Sequence, residues 1–269
     1  MKFFAPLLAL CCSCILAGAD DYSVRQDVVF SSPGGVALKL DAHIPPGKGP
    51  FPAVILVHGG GWTNGTKTAN FVQPLFAPLT ESGFAWFTID YRLAPKHPYP
   101  AAVEDVEAAI RFVRSHAKEY KVDGRRIALM GESAGGHLVS LVGARNRKPA
   151  NVAAVVCFYG PIDLVEFVST KPGNKGMAAF LPSGQFREAS PATYISGKTP
   201  PFLVIHGTKD DAVPYAQALL TVELLKKAGV RCDLITVQDG IHGVINWEKD
   251  ARFQGYKKEM ADWLRGVLK

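Results

Sequence analysis

The stretch Gly131-Glu132-Ser133-Ala134-Gly135-Gly136-His137 decides how the chain is read. Apolar Ile127-Ala128-Leu129-Met130 runs into it, and Leu138-Val139-Ser140-Leu141-Val142 follows. The first run reads as a strand ending at Met130, the second as part of a helix starting near Ala134. Ser133 then lies on the sharp turn between them, the G-x-S-x-G elbow that lifts a serine hydroxyl clear of its own backbone. Glycines at 131 and 135 suit a place where strand and helix pass too closely for side chains. A bare G-x-S-x-G also arises by chance, so its meaning rests on what surrounds it.

Working outward, the chain alternates strand-like and helix-like stretches. Tyr22–Phe30 and Val36–Ile44 read as an antiparallel hairpin about Ser31-Ser32-Pro33-Gly34-Gly35. Pro52–Val57 is a continuous apolar run, as expected of a strand buried on both faces, and it ends in His58-Gly59-Gly60-Gly61-Trp62. A helix is expected over Phe71–Ser82, a strand over Phe84–Ile89, and a long amphipathic helix after Pro100. Beyond the elbow come strands at Val152–Phe158, Phe202–His206 and Cys232–Val237, a helix at Tyr215–Ala228 and a closing helix at Trp247–Val267. Pro161–Pro200 has no clear periodicity, and such a long connection is expected to act as a lid or a substrate-shaping wall, with a disordered surface excursion as the alternative. The fold class is α/β, with a mostly parallel, doubly wound sheet and an antiparallel hairpin at its start. Ligands of such sheets sit beyond the C-terminal strand ends.

Those ends carry the reactive residues. His242, in Asp239-Gly240-Ile241-His242-Gly243 after the last strand, is the expected base for Ser133. His58, His137 and His206 read as structural, and His43, His97 and His116 as surface or packing residues. For the carboxylate that orients the base, Asp210 leads an Asp-x-x-Val-Pro spacing and is preferred to Asp211, with Asp163 third. The order Ser133, Asp210, His242 is that of an α/β-hydrolase triad. Gly60, Gly61 and Ala134 are the expected backbone donors to a developing oxyanion. Trp62 reads either as a substrate contact over an acyl pocket or as a wedge for its loop. Phe180, Leu181 and Phe186 read as an apolar wall or as anchors.

Composition bounds the rest. The 269 residues, 48% hydrophobic and 20% charged, suit one large α/β domain over residues 20–269. A formal charge of +6 without a basic run gives no sign of nucleic-acid binding. Residues 1–19 read as a secretory signal: Lys2, apolar Phe3–Leu16, then Ala17-Gly18-Ala19. The apolar part is short for a membrane span, so a secreted or periplasmic protein is expected. Cys11, Cys12 and Cys14 raise a lipoprotein anchor as the lesser reading. Cys157 and Cys232 read as free thiols in strands, with a disulfide as the alternative. No metal site or organic cofactor is implied, and oligomeric state is left open.

His58-Gly-Gly-Gly-Trp62, Asp90-Tyr-Arg-Leu-Ala-Pro95, the Gly131–His137 elbow and His206-Gly-Thr-Lys-Asp210 together resemble the α/β-hydrolase esterases. The lineage is the one containing hormone-sensitive-lipase-like enzymes. About forty residues separate Asp20 from His58, too few for the helical N-terminal cap of those lipase-like members. That feature, Trp62, Ser133-Ala-Gly-Gly-His137 and the export signal look more like the bifunctional carbohydrate acetyl and feruloyl esterases. The resemblance implies a serine carboxylesterase acting on acetyl or feruloyl esters of plant polysaccharides. It also implies that Tyr91, Arg92 and Asp105 brace the site. The rivals are a broad small-molecule carboxylesterase, a formamidase- or peptidase-type serine hydrolase, and a non-catalytic binding protein.

Overall fold

A computed structural model describes residues 22–269. The expected signal over residues 1–19, with Cys11, Cys12 and Cys14, lies outside the described residues. One eight-stranded sheet runs in the order β1-β2-β4-β3-β5-β6-β7-β8. Its strands are β1 (Ser23–Ser31), β2 (Leu38–Ile44), β3 (Phe51–Val57), β4 (Ala85–Ile89), β5 (Val122–Glu132), β6 (Ala154–Phe158), β7 (Phe202–Gly207) and β8 (Cys232–Val237). β2 is antiparallel to both β1 and β4, and all the other pairs are parallel.

The unbroken apolar runs of the central strands follow from burial on two faces. In β3, Ala53, Ile55 and Val57 join one apolar cluster while Val54 and Leu56 join the other. Ile127 and Leu129 of β5 face the first cluster, and Ala128 and Met130 the second. Successive side chains leave a strand on opposite sides, so a sheet covered twice needs apolar residues at every position. The first cluster is completed by α2 (Ala101–Ser115) and α3 (Ala134–Arg145), the second by α1 (Phe76–Glu81) and α9 (Tyr256–Val267). α2 follows its sequence pattern, burying Val103, Val106, Ile110 and Val113.

Three expectations are corrected. The helix expected over Phe71–Ser82 is a 3-10 turn at Gln73–Leu75 followed by short α1. The closing helix is broken into α8 (Val244–Trp247), a 3-10 turn at Ala251–Phe253 and α9. The break is local chemistry: the Asp250 carboxylate accepts from the Arg252 N–H at 2.9 Å, an acceptor that competes with helical pairing. The aperiodic 161–200 stretch holds α4 (Leu164–Thr170), α5 (Lys175–Phe180) and α6 (Phe186–Ala189). Helices of four to seven residues are too short to show a helical period in sequence. The last helix of the set is α7 (Ala216–Lys227).

The 161–200 stretch is pinned to its surroundings. Phe180 and Leu181 are buried, and the Arg145 guanidinium donates to the Tyr99 and Tyr194 hydroxyls at 2.6 and 3.2 Å. Cys157 and Cys232 are free thiols on β6 and β8, with β7 between them. Among the described residues, no helix is long and apolar enough to cross a membrane, and no cluster of His, Cys, Asp and Glu could hold a metal ion.

Candidate active site

Ser133 joins the end of β5 to the start of α3 with φ +54° and ψ −119°, a backbone that a non-glycine residue adopts only under constraint. The constraint is visible. The Ser133 N–H donates to the Phe158 carbonyl at 2.9 Å, tying the turn to β6. A Cβ on Gly131 would sit 2.5 Å from the Gly135 carbonyl oxygen, and one on Gly135 would sit 2.1 Å from that of Val57. Larger residues at either position would force the elbow open.

His242 Nε2 lies 2.9 Å from Ser133 Oγ, and its Nδ1 lies 2.7 Å from Asp210 Oδ2. Since a carboxylate only accepts, Nδ1 carries the ring proton and Nε2 is left as the acceptor facing the serine hydroxyl. Asp210 is itself firmly held. Its Oδ1 accepts from the N–H groups of Ala212 and Val213 at 2.9 and 2.8 Å, which is why the acid leads an Asp-x-x-Val-Pro sequence. His206 Nε2 adds a contact to Oδ2 at 3.3 Å. Burial alone would raise this carboxyl, but the hydrogen bonds from His206, His242 and Val213 outweigh it and hold it well below the usual range. The Asp210 side chain is 0% exposed and that of His242 23%, so the acid is sealed while the base reaches solvent.

The rival carboxylates do other work. Asp163 caps α4, accepting from the Val165 and Glu166 N–H groups. Asp211 is exposed, and its carbonyl accepts from Lys171 Nζ. Among the described residues, neither carboxylate hydrogen-bonds to His242.

The glycine run leaves β3 as a tight turn. Gly60 has φ +97°, and its carbonyl accepts from the Thr63 and Asn64 N–H groups. A Cβ there would lie 2.1 Å from the Asn64 oxygen, so only glycine fits. Gly61 follows with φ +60°. Ala134 opens α3, where first-turn N–H groups have no helical partner. Among the described residues, the N–H groups of Gly60, Gly61 and Ala134 have no backbone acceptor.

Trp62 is only 3% exposed, so it presents almost no surface to a substrate. Its indole N–H donates to His137 Nδ1 at 3.1 Å, and its ring stacks on Phe180 at 5.0 Å. Of the two readings weighed for it, this is the wedge. With Nδ1 accepting, His137 carries its proton on Nε2 and donates to the Ala189 carbonyl at 2.7 Å. Burial pushes its pKa down to about 4, and that of His58, stacked on Tyr91, also to about 4. The Tyr91 hydroxyl lies 3.1 and 3.0 Å from the His58 and Gly59 carbonyls, and Arg92 pairs bidentately with Asp105. Tyr91 thus braces the glycine loop directly, while the Arg92–Asp105 pair ties the segment after β4 to α2.

Two residues had no role in the sequence reading. Glu132, between Gly131 and Ser133, is 3% exposed, with its Oε1 accepting from the Gly59 N–H at 2.5 Å. Tyr159 is fully buried at φ +36°, with its ring 4.8 Å from His242 and its hydroxyl accepting from the Val244 N–H at 2.8 Å. A carboxylate inside an otherwise apolar strand end was the available signal for the first. An aromatic before Gly160 carries none.

An eight-stranded, mostly parallel sheet with a strained serine elbow beyond its central strand defines an α/β-hydrolase. A family model described as BD-FAE matches residues 40–225, and the chain belongs to that family. The esterase LipQ of Mycobacterium tuberculosis is 32% identical over 272 residues, covering 92% of this chain and 63% of LipQ. Other mycobacterial ester hydrolases match over 46% and 49% of their length, so the chain spans about half to two-thirds of these relatives. A truncated carbohydrate esterase from gut microbiota superposes with a TM-score of 0.77 at 26% identity, covering 93% of this chain and 98% of that one. An acetyl ester-xyloside bifunctional hydrolase from Caldicellulosiruptor lactoaceticus also gives 0.77, at 29% identity and 86% and 88% coverage.

Proposed function

We propose that the protein is an exported serine carboxylesterase that removes acetyl and feruloyl groups from plant polysaccharides. The observation that carries the reaction class is the relay from Ser133 Oγ to His242 at 2.9 Å and on to Asp210 at 2.7 Å. His242 Nε2 takes the hydroxyl proton as Ser133 Oγ attacks the ester carbonyl. The imidazolium is stabilised by Asp210, whose depressed pKa keeps it ionised throughout. The N–H groups of Gly60, Gly61 and Ala134 receive the negative oxygen of the tetrahedral intermediate. Collapse expels the alcohol, which takes its proton from His242 and leaves an acyl-Ser133. Water, deprotonated by His242, then releases the acid and restores the hydroxyl.

The substrate class rests on the family and on the two structural neighbours whose names specify carbohydrate or acetyl-xyloside chemistry. Export rests on the composition of residues 1–19. The test is acid release from acetylated, feruloylated xylan, with Ser133→Ala as the control. Acetate or ferulate is expected with the wild type only. Cleavage of p-nitrophenyl acetate without either product would contradict the polysaccharide assignment and favour a small-molecule carboxylesterase.

A further inference from the structure

Two of the expected oxyanion donors stand on glycines, which have no side chains with which to hold their own dihedral angles. Gly60 and Gly61 lie at φ +97° and +60°, and the first side chain after them is that of Trp62. Trp62 is itself at φ +62°, a left-handed backbone that is costly for a bulky residue. Three contacts hold it there. Its carbonyl accepts from the Ala94 N–H at 3.0 Å, its ring stacks on Phe180 at 5.0 Å, and its indole N–H donates to His137 Nδ1 at 3.1 Å.

The third contact reaches the nucleophile's own helix. His137 is the fourth residue of α3, and its N–H donates to the Ser133 carbonyl at 2.9 Å. Ala134, the remaining expected donor, opens the same turn. The indole bond therefore joins the glycine loop to the turn of helix that carries Ser133 and Ala134. The other nitrogen of His137 is held from the 161–200 stretch: Nε2 donates to the carbonyl of Ala189, the last residue of α6, at 2.7 Å. A carbonyl only accepts, so the ring proton stays on Nε2 and Nδ1 is left to receive the indole. α5 meets the loop as well, since a Cβ on Gly176 would lie 2.7 Å from the Gly61 carbonyl oxygen.

We propose that Trp62 and His137 are positioning residues that keep the Gly60 and Gly61 donors in register with Ser133 and Ala134, and that the 161–200 stretch is the fixed strut that holds them so. The role rests on the esterase reading, because it concerns where the oxyanion donors stand. Packing alone does not call for this arrangement. Apolar side chains at 62 and 137 would fill the same buried space with no polar atoms to satisfy. The observed pair instead demands one tautomer and one backbone carbonyl at a fixed place.

The test measures p-nitrophenyl acetate hydrolysis by wild type, Trp62→Phe, His137→Leu, their double variant and Gly176→Ala, with thermal unfolding alongside. Phenylalanine keeps an aromatic ring against Phe180 and deletes the N–H, while leucine removes both polar contacts of His137. Each should lower kcat by roughly 10- to 100-fold with KM within about twofold, the scale of a small misplacement of reacting groups. Because both break one bond, the double variant should lose at most about threefold more than the worse single. Alanine at 176 suits a helix better than glycine, yet its Cβ presses on the Gly61 carbonyl. Gly176→Ala should therefore lower kcat at least about threefold without lowering the unfolding temperature. Wild-type kcat in Trp62→Phe, His137→Leu or Gly176→Ala, losses that multiply in the double, or losses confined to KM would overturn the inference. If His137→Leu fails to fold, Trp62→Phe and Gly176→Ala decide, since both keep the bond from His137 to Ala189. An inactive wild type would overturn the esterase reading itself, an outcome distinct from all of these.

Discussion

Asp210 holds its charge because two backbone N–H groups and His242 bond its carboxylate, with His206 Nε2, bonded to the Val213 carbonyl, a further 3.3 Å contact. In the proposed mechanism its work is to keep the His242 proton on Nδ1, so that Nε2 stays open to Ser133. Asp210→Asn would preserve size but present an amide that can donate to Nδ1 and reverse the ring's tautomer. Turnover should fall by about four orders of magnitude while folding is retained. Asp163→Ala is the matched control. It removes a helix cap, so it should cost about 1 kcal/mol of stability and leave kcat at the wild-type level. Steady-state kinetics and urea unfolding on the two variants would check both, and equal activity in them would contradict the assignment of Asp210.

At the scale of elements, what was legible in sequence followed from how much chain each signal spans. The elbow could be read because its steric demand falls on fixed positions: glycines at 131 and 135 and apolar runs on either side. The central strands could be read because burial on both faces leaves uninterrupted apolar runs. Asp210 could be preferred over Asp211 because its carboxylate bonds the backbone two and three residues on, a purely local pattern. The region 161–200 could not be resolved into α4, α5 and α6, since one or two helical turns leave no periodic trace. Its attachments are also non-local: Phe180 stacks on Trp62, and Ala189 accepts from His137. Tyr159 escaped notice for the same reason, because its partners at Val244 and His242 are remote in sequence.

For the whole molecule, buried histidines set the response to acid. His58 and His137 are neutral in the fold, with pKa values pushed down to about 4 by burial. In the unfolded chain the same rings titrate near 6.5. Between those values the unfolded state binds more protons, so stability is lost as pH falls from about 6.5 to 4, at most about 3 kcal/mol per ring. Half-buried His43 is shifted in the same direction. Glu132 opposes them: its raised pKa makes the folded state the better proton binder between about 4.5 and 7. Burial raises the Asp90 carboxyl in the same direction, and these acids do not cancel the histidines. The urea midpoint should therefore be lower at pH 5 than at pH 7.5, and an equal or higher midpoint at pH 5 would contradict these burial assignments. The reaction assigned to this fold is tested most directly by covalent capture. A fluorophosphonate loses fluoride to a serine activated by a neighbouring base, and intact-mass and peptide analysis then locate the adduct. One adduct per chain is expected, on Ser133 and absent from Ser133→Ala. No adduct, or one on another residue that persists in the variant, would contradict the assigned reaction.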